Sequence, residues 1–275
     1  MNRFTLLGLL AVLAVLSPAG CASSGKEAAS ADAAAVSQTP VEDIYRSAAK
    51  LMDEGRLGEA ARKFDEVEQQ YPYSQWATKA QLMSAYAYYK SLKYDEALLG
   101  LDRYIELHPG EESAAYAWYL RALCYYEQIS DIRRDQKMTE LALENLGQVV
   151  DRFPDTDYAK DAALKVDLTL DHLAGKEIDV GRYYLVRGNY QAAINRFQKV
   201  VNDYQTTTHV PEALHRMTEA WLALGVVPEA QKTTAILGHN YPQSQWYKDS
   251  YELLTGKHVG EQPSLYDKTL GKIIN

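Results

Sequence analysis

The chain has 275 residues, with 29 basic and 37 acidic side chains and a formal net charge of −8. Binding to phosphate backbones depends on clustered Lys and Arg, so this balance argues against a nucleic-acid partner. The hydrophobic content of 47% and the charged content of 24% are those of a folded globular protein, which excludes a wholly disordered chain. Two cysteines cannot supply a disulfide framework. The 21 tyrosines far outnumber the four phenylalanines, and such an excess of amphipathic rings favours a binding surface.

The first twenty residues predict a secretory signal. A single positive residue, Arg3, precedes an apolar run over residues 4–16, which is broken only by one threonine and one glycine. A helix that spans a bilayer needs about 20 apolar residues, whereas this shorter run is typical of a signal peptide. Small residues at 17–20 then lead directly to Cys21. This arrangement resembles the lipobox of bacterial lipoproteins; the alternative is an ordinary signal peptide followed by an incidental cysteine.

The lipobox resemblance implies that residues 1–20 are removed and that Cys21 carries a diacylglycerol, which anchors the chain to a membrane. In such lipoproteins an Asp directly after the cysteine often causes retention in the inner membrane, so Ala22 favours the outer membrane. Residues 21–40 predict a flexible tether, because 22–40 hold seven Ala, four Ser and no aromatic residue that could join a core. Apart from the covalent lipid, the sequence indicates no cofactor.

An internal repeat occupies the rest of the chain. Ala60, Phe64, Val67 and Pro72 define a pattern whose apolar members share one helix face, and the proline ends that helix. In most copies a small residue lies twelve positions before the alanine and marks a partner helix. Two helices per unit of about 34 residues resemble the tetratricopeptide repeat. The alanines of the five copies are Ala60, Ala97, Ala142, Ala193 and Ala230, and the small residues of the partner helices are Ala48, Ala85, Gly181 and Thr218.

The repeat predicts an all-α fold over residues 41–256, a right-handed tetratricopeptide superhelix of about five helix pairs plus an extra helix. Longer spacings between copies predict an insertion at 129–138 and place the additional helix at roughly 158–173. Ser74, Thr156 and Ser244 precede first helices and are predicted to cap them. Residues 257–275 contain two glycines and a proline and predict a mobile tail, which leaves open whether it orders on binding.

A peptide groove is the binding site that the repeat predicts. First helices line the concave side of such a superhelix, and tyrosine rings beside lysines suit an extended peptide with aromatic side chains and a terminal carboxylate. Tyr88 and Tyr125 are predicted to point into the helix packing instead. The alternative is that all these rings simply fill space between helices. The predicted inward residues are Tyr45, Lys79, Tyr86, Tyr89, Lys90, Tyr116, Tyr119 and Tyr126.

Catalytic chemistry finds little support in the sequence. No two of the six histidines have the spacing of a helical zinc site, and neither a nucleophile elbow nor a phosphate-binding loop is present. Cys124 stands among apolar residues of a predicted helix, so we expect a buried hydrophobic residue there rather than a nucleophile. The sequence therefore predicts neither a metal site nor an enzyme. A hydrolase that uses surface carboxylates is the disfavoured alternative, because no motif forces two acidic residues together.

Residues 40–255 resemble the BamD family, the lipoproteins of the outer-membrane β-barrel assembly machinery. The most specific stretches are 179–184, 187–188 and 192–197, supported by the insertion at 134–136 and by 85–90. The resemblance implies a subunit in the outer membrane that faces the periplasm and holds the POTRA domains of the barrel protein BamA. It also implies contacts with the smaller lipoproteins of the complex, and recognition of C-terminal signals on unfolded outer-membrane β-barrel proteins by the N-terminal repeats.

Arg196 falls where this family has an arginine that faces the POTRA domain nearest the barrel, so the resemblance implies a partner interface there. Its place next to Phe197 predicts a side chain turned toward the outer surface, with little influence on folding. The alternative is an ordinary exposed helix arginine. A competing interpretation of the whole chain is another periplasmic tetratricopeptide lipoprotein, one that serves secretin or pilus assembly or cell-envelope constriction.

Overall fold

Helices make up nearly all of the chain that the computed structural model describes, residues 40–257 and 259. Contacts between residues divide the chain into 1–38 and 39–275, and all described residues lie in the second unit. The predicted signal peptide, Cys21 and almost all of the tether therefore lie outside the described residues, as does nearly all of the predicted tail. In the described part no helix is both long enough and apolar enough to cross a bilayer.

Eleven helices occupy the described residues, and no strand is present among them. The first ten form five consecutive pairs, and the eleventh packs against the last pair. This arrangement confirms the prediction of an all-α repeat fold. The helices are α1 Pro40–Asp53, α2 Leu57–Gln70, α3 Gln75–Lys90, α4 Tyr94–Leu107, α5 Ala114–Tyr126, α6 Lys137–Arg152, α7 Asp157–Val186, α8 Tyr190–Asp203, α9 Val210–Ala223, α10 Val227–Asn240 and α11 Gln245–Thr255.

Small residues at the predicted repeat positions allow the paired helices to approach closely. The five repeat alanines of the second helices are all fully buried, as are Ala48 and Thr218 of the first helices. Gly181 is the extreme case, because a Cβ atom on this residue would lie 2.4 Å from a ring carbon of Phe197. The first helices of successive units also contact one another, so that α1, α3, α5, α7 and α9 form one continuous row.

Helix starts follow the sequence prediction at three turns between units. Each predicted cap accepts a hydrogen bond from a backbone N–H in the first turn of the helix, which satisfies a group that would otherwise lack a partner. The Ala77 N–H donates to Ser74 Oγ at 3.2 Å, the Ala159 N–H to Thr156 Oγ1 at 3.1 Å and the Trp246 N–H to Ser244 Oγ at 3.2 Å.

The second helix of each pair ends with the same backbone geometry whether or not a proline follows. In four of these helices the residue just after the helix precedes a proline, which disfavours helical backbone there. After α8 the corresponding residue, Tyr204, is followed by Gln205 instead of a proline. Its φ of −127° is still close to the values of −129° to −134° at the residues that follow the other four second helices. The repeat therefore keeps its turn geometry where the proline is missing.

The prediction of a separate additional helix at 158–173 is wrong. These residues form the N-terminal half of α7, a single helix of 30 residues that continues into the first helix of the fourth pair. No proline interrupts this segment, and buried small and apolar residues continue along it, including Ala162, Ala174 and Ile178. The extra helix is instead α11, at the C-terminal end. The predicted insertion, 129–138, covers most of the non-helical segment between α5 and α6 and the first two residues of α6.

Candidate peptide-binding groove

A large cavity lies on the face of the first helices. It has a volume of about 720 Å³. Helix α3 supplies one wall, and side chains from α1, α5 and α7 complete it, so four units contribute to a single site. Three of the predicted groove residues, Tyr45, Lys79 and Tyr116, line this cavity. Its apolar surface comes mainly from the rings and from Leu82 and Met83.

This cavity exists because one turn between units lacks an aromatic ring. Four of the five turns carry a ring at the same place, at Trp76, Tyr158, His209 and Trp246, whereas the fifth has Ser113. Rings at this place contact the first helix of the preceding unit, with centroid distances of 4.9 Å for Trp76 to Tyr45, 5.5 Å for Tyr158 to Tyr116 and 5.2 Å for Trp246 to His215. The small serine leaves the equivalent space between α3 and α5 open.

The polar groups of the cavity are unevenly placed. Lys79 is exposed and lies 5.5 Å from the centre of the Trp76 ring, which keeps a cation on the wall formed by α3. Glu111 and Glu112 stand on the other side, in the turn before α5. Ser113 exchanges a hydrogen bond of 2.6 Å with the hydroxyl of buried Tyr104. A ligand carboxylate would therefore be favoured near Lys79 and repelled near the two glutamates.

Tyrosine hydroxyls at the groove remain protonated donors at physiological pH. Burial raises the pKa of Tyr116, and neighbouring Tyr86 adds to the effect. Burial and the charge of Glu127 raise the pKa of Tyr89 to about 12. Burial and the hydrogen bond that Tyr119 donates to Asp161 raise the pKa of Tyr119 as well. The Tyr119 and Tyr89 hydroxyls already donate to Asp161 and Glu127, so Tyr116 is the donor of this group that can reach a ligand carbonyl or carboxylate, and all three rings can pack against aromatic side chains.

The remaining predicted groove residues are distributed over neighbouring surfaces. Tyr89 lies 6.0 Å from the Tyr94 ring, and its hydroxyl is 3.5 Å from Glu127. Lys90 is exposed at the end of α3, and Tyr86 packs against the same core cluster as Tyr116. Tyr126 lines a separate cavity of about 290 Å³ with Leu168 and His172. The eight residues thus do not form one pocket, and their role in peptide binding stays a prediction.

Tyr88 and Tyr125 lie in the helix packing, as predicted. The Tyr88 hydroxyl donates to Asp65 of α2 at 2.9 Å, and burial together with this carboxylate raises its pKa to about 12. Tyr125 is partly buried, and burial followed by the charge of Asp102 raises its pKa. Cys124 is fully buried, and burial raises its pKa to about 12, which fits the predicted role of a small hydrophobic residue.

Tyr158 is the cavity residue that the sequence analysis missed. It is exposed at 38%, and its ring lies 5.5 Å from Tyr116 and 5.4 Å from Tyr119. The signal was present in the turns between units, because Tyr158 aligns with Trp76 and Trp246. Its position close to the preceding first helix could have been inferred from that alignment.

Arg196 has a partner that the sequence did not predict. Its Nη1 donates to the Glu177 carboxylate of α7 at 3.0 Å, and Lys199 donates to the same carboxylate at 2.8 Å. Burial alone would raise the pKa of Glu177, but the bonds from Lys199 and Arg196 outweigh burial and hold the pKa below its ordinary value. Nearly half of each cationic side chain remains exposed. Two cations on one buried carboxylate leave a net positive patch on this surface.

The fold consists of helix pairs that repeat around buried small residues, and one row of first helices forms a cavity. These two features define a helical-repeat scaffold of the tetratricopeptide type. Residues 37–237 match the family described as YfiO, outer membrane lipoprotein. The outer membrane protein assembly factor BamD of Caulobacter vibrioides is 48% identical over 246 residues, which cover 90% of this chain and 79% of that protein.

Two further relatives carry the same name. BamD of Rickettsia prowazekii is 44% identical and covers 78% of this chain and 86% of its own length. BamD of Neisseria meningitidis serogroup A is 33% identical, with coverages of 89% and 94%. The chain belongs to this family, the BamD outer membrane protein assembly factors.

Proposed function

We propose that this chain is a lipid-anchored subunit of the outer-membrane β-barrel assembly machinery, which holds the POTRA domains of BamA and binds C-terminal segments of unfolded outer-membrane β-barrel proteins. Family membership supports the assembly role. The observation that carries substrate binding is the open cavity at Ser113, lined by tyrosines and one lysine. The chain acts by binding rather than by catalysis, and the smaller lipoproteins of the complex use other parts of the same scaffold.

The cavity suits a peptide that ends in an aromatic residue. The terminal ring would pack against the exposed side of the Tyr116–Tyr158 pair, whose own centroids are in contact at 5.5 Å, because aromatic pairs are favourable over this range of distances. The terminal carboxylate would lie toward Lys79, away from Glu111 and Glu112. Preceding residues of the peptide would run along the row of first helices, past Tyr86 and Tyr89. The tyrosine hydroxyls supply donors for the main-chain carbonyls of an extended segment.

Arg196 serves the second interface in this proposal. We expect Arg196→Ala to lower the affinity for the periplasmic POTRA domains about tenfold, because one half-exposed cation of the patch would be lost. Folding should lose at most about 1 kcal/mol, since Lys199 still pairs with Glu177. The contribution of the Glu177 pair is present above its ordinary pKa of 4.5 and is lost as the pH falls through the lowered value.

The measurement is retention of the POTRA-bearing barrel protein from detergent-solubilised outer membrane, followed by titration with its purified periplasmic part. Lys199→Ala is the matched control, because it removes the other cation from the same carboxylate at nearly the same exposure. Arg196→Ala should weaken binding more than Lys199→Ala does. Equal affinity of Arg196→Ala and the unchanged protein would remove Arg196 from the interface. Recovery of a secretin instead of the barrel protein would overturn the assignment to this machinery.

Lipidation of Cys21 attaches the scaffold to the outer membrane in this proposal. Cys21→Ser should yield unprocessed or soluble periplasmic protein, because serine has no thiol to carry the diacylglycerol. Mass spectrometry of the mature N-terminus and membrane fractionation measure the two effects. Cys124→Ser is the control for loss of a cysteine and should fractionate with the outer membrane. A Cys21→Ser chain of mature size that still fractionates with the outer membrane would show that the anchor lies elsewhere.

A further inference from the structure

A second cavity, of about 340 Å³, lies between α2, α3 and α4 on a different face of α3 from the large groove. Gln81, Ser84 and Tyr88 of α3 form its floor. Asp65 and Glu68 of α2 stand on one side, and Glu96, Leu99 and Arg103 of α4 on the other. The volume is within the range of sites that hold part of a peptide or a small ligand.

The next unit shows why this cavity is open. Trp118 and Arg121 stand thirty-seven residues after Gln81 and Ser84, at the equivalent positions of α5. The Trp118 ring lies between two guanidinium groups, with Arg121 at 4.2 Å and Arg152 at 4.4 Å from its centre. Arg121 also pairs with Asp102, the counterpart of Asp65, at 3.1 Å. Trp118 and Arg121 therefore fill the groove beside α5, whereas Gln81 and Ser84 leave the equivalent cavity beside α3 open.

A buried amide donor at the floor of this cavity lacks a partner. Gln81 is only 5% exposed, and its Nε2 makes no hydrogen bond to any described residue. A buried donor without an acceptor costs about 1–3 kcal/mol, so a ligand carbonyl that accepts from Nε2 would gain free energy. The other polar groups of the floor are already satisfied, since Ser84 and Tyr88 both donate to Asp65.

The walls of the cavity are acidic and partly apolar. Asp65, Glu68 and Glu96 bring three carboxylates, against one cation, Arg103, which pairs with Glu68 at 2.7 Å. Leu99 is 75% exposed at the rim, an apolar surface that water covers poorly. The chemistry complementary to these groups is a carbonyl acceptor, a positive side chain and an apolar side chain close together. An extended peptide with a Lys or Arg next to an aliphatic residue supplies all three.

We propose that this cavity binds an extended segment of a partner protein that carries a basic residue flanked by aliphatic residues. A main-chain carbonyl of the segment accepts a hydrogen bond from Gln81 Nε2, which is covered in the unbound chain and turns toward the cavity to meet it. The basic side chain lies against Glu96 and Asp65, and an aliphatic side chain covers Leu99. This site is separate from the tyrosine-lined groove and prefers the opposite charge, because that groove has Lys79 for a carboxylate. The scaffold can therefore hold two different segments at once.

The test uses the full chain in detergent and a labelled, end-blocked peptide, Gly-Leu-Lys-Leu-Gly, in fluorescence anisotropy. Gln81→Trp combined with Ser84→Arg copies the filled groove of the next unit and should weaken binding at least tenfold. Ser113→Trp, which fills the other cavity, should leave this binding unchanged. Glu96→Lys changes only an exposed rim residue, so it tests the charge requirement even if the double variant fails to fold; it should weaken binding at least fivefold.

Three binding results, and a fourth from magnetic resonance, would overturn the proposal. The first is no binding of the lysine peptide to the unchanged protein. The second is equal binding of a peptide with Glu in place of Lys, since the acidic walls should repel it. The third is binding that Glu96→Lys leaves unaltered. As a direct probe, the side-chain amide resonances of Gln81 should shift when the lysine peptide is added, because Nε2 gains an acceptor. Unshifted resonances at saturating peptide would equally contradict the proposal.

Discussion

Gly181→Ala will lower the free energy of unfolding of the repeat scaffold by about 2 kcal/mol. The added Cβ would lie 2.4–2.8 Å from three ring carbons of Phe197, distances at which the ring or the helix must move. Phe197 is fully buried among Ile178, Val200 and other core side chains, so the ring has no free space to enter. Overpacking of a core typically costs about 1–3 kcal/mol. Alanine has a better helix propensity than glycine by about 1 kcal/mol, which reduces the largest expected cost to about 2 kcal/mol.

Urea denaturation of the purified chain, followed by circular dichroism, measures this change as a lower midpoint. Gly147→Ala is the matched control, because Gly147 lies within α6 and a Cβ there would meet nothing within 4 Å. That control should stabilise the protein by about 0.5–1 kcal/mol. Phe197→Leu in the Gly181→Ala background should recover part of the loss, since the smaller side chain makes room. An equal effect of the two glycine substitutions would show that the close approach of α7 and α8 does not contribute to the free energy of unfolding.

Local spacing predicted the helix faces, because each face depends only on positions three and four residues apart. The buried repeat alanines followed from this rule, and the three cap residues followed from Ser or Thr at the turn before a first helix. The choice between alanine and glycine at the small position did not, since it depends on how closely two helices approach. Ala48 precedes Phe64 by sixteen residues just as Gly181 precedes Phe197, yet only the second pair requires glycine.

Contacts between distant residues explain what the sequence could not predict. Glu177 is nineteen residues from Arg196, and nothing in the repeat pattern indicates that a buried carboxylate pairs with it. The continuity of α7 was missed because additional residues between two copies can form either a new helix or a longer one. Helical periodicity predicted which tyrosines turn away from the helix packing, and their role in peptide binding stays a prediction. Which of them share a cavity depends on Ser113, because its small side chain leaves the space between α3 and α5 open.

Ser113→Trp will therefore close the large cavity and reduce the affinity for a substrate peptide by at least tenfold. The new ring would stand where Trp76, Tyr158 and Trp246 stand in their own turns, so the repeat already accommodates a ring at this place. The loss of the 2.6 Å hydrogen bond between Ser113 and Tyr104 should cost about 1 kcal/mol of stability. Burial of the indole offsets at least part of that cost, so the melting temperature should change little.

Fluorescence anisotropy with a labelled peptide that ends in phenylalanine measures the effect, and the same peptide with an amidated C-terminus tests the contribution of Lys79. Tyr116→Ala should lower the affinity by about 10–100-fold, as expected for an aromatic residue at the centre of a binding site. Tyr73→Ala is the matched control, because Tyr73 is fully exposed in the turn before α3. A photo-crosslinker at position 116 should capture the peptide, whereas one at 125, in the helix packing, should not. If Ser113→Trp binds the peptide as well as the unchanged protein does, the cavity is not the substrate site, and the tyrosines serve only to pack the helices.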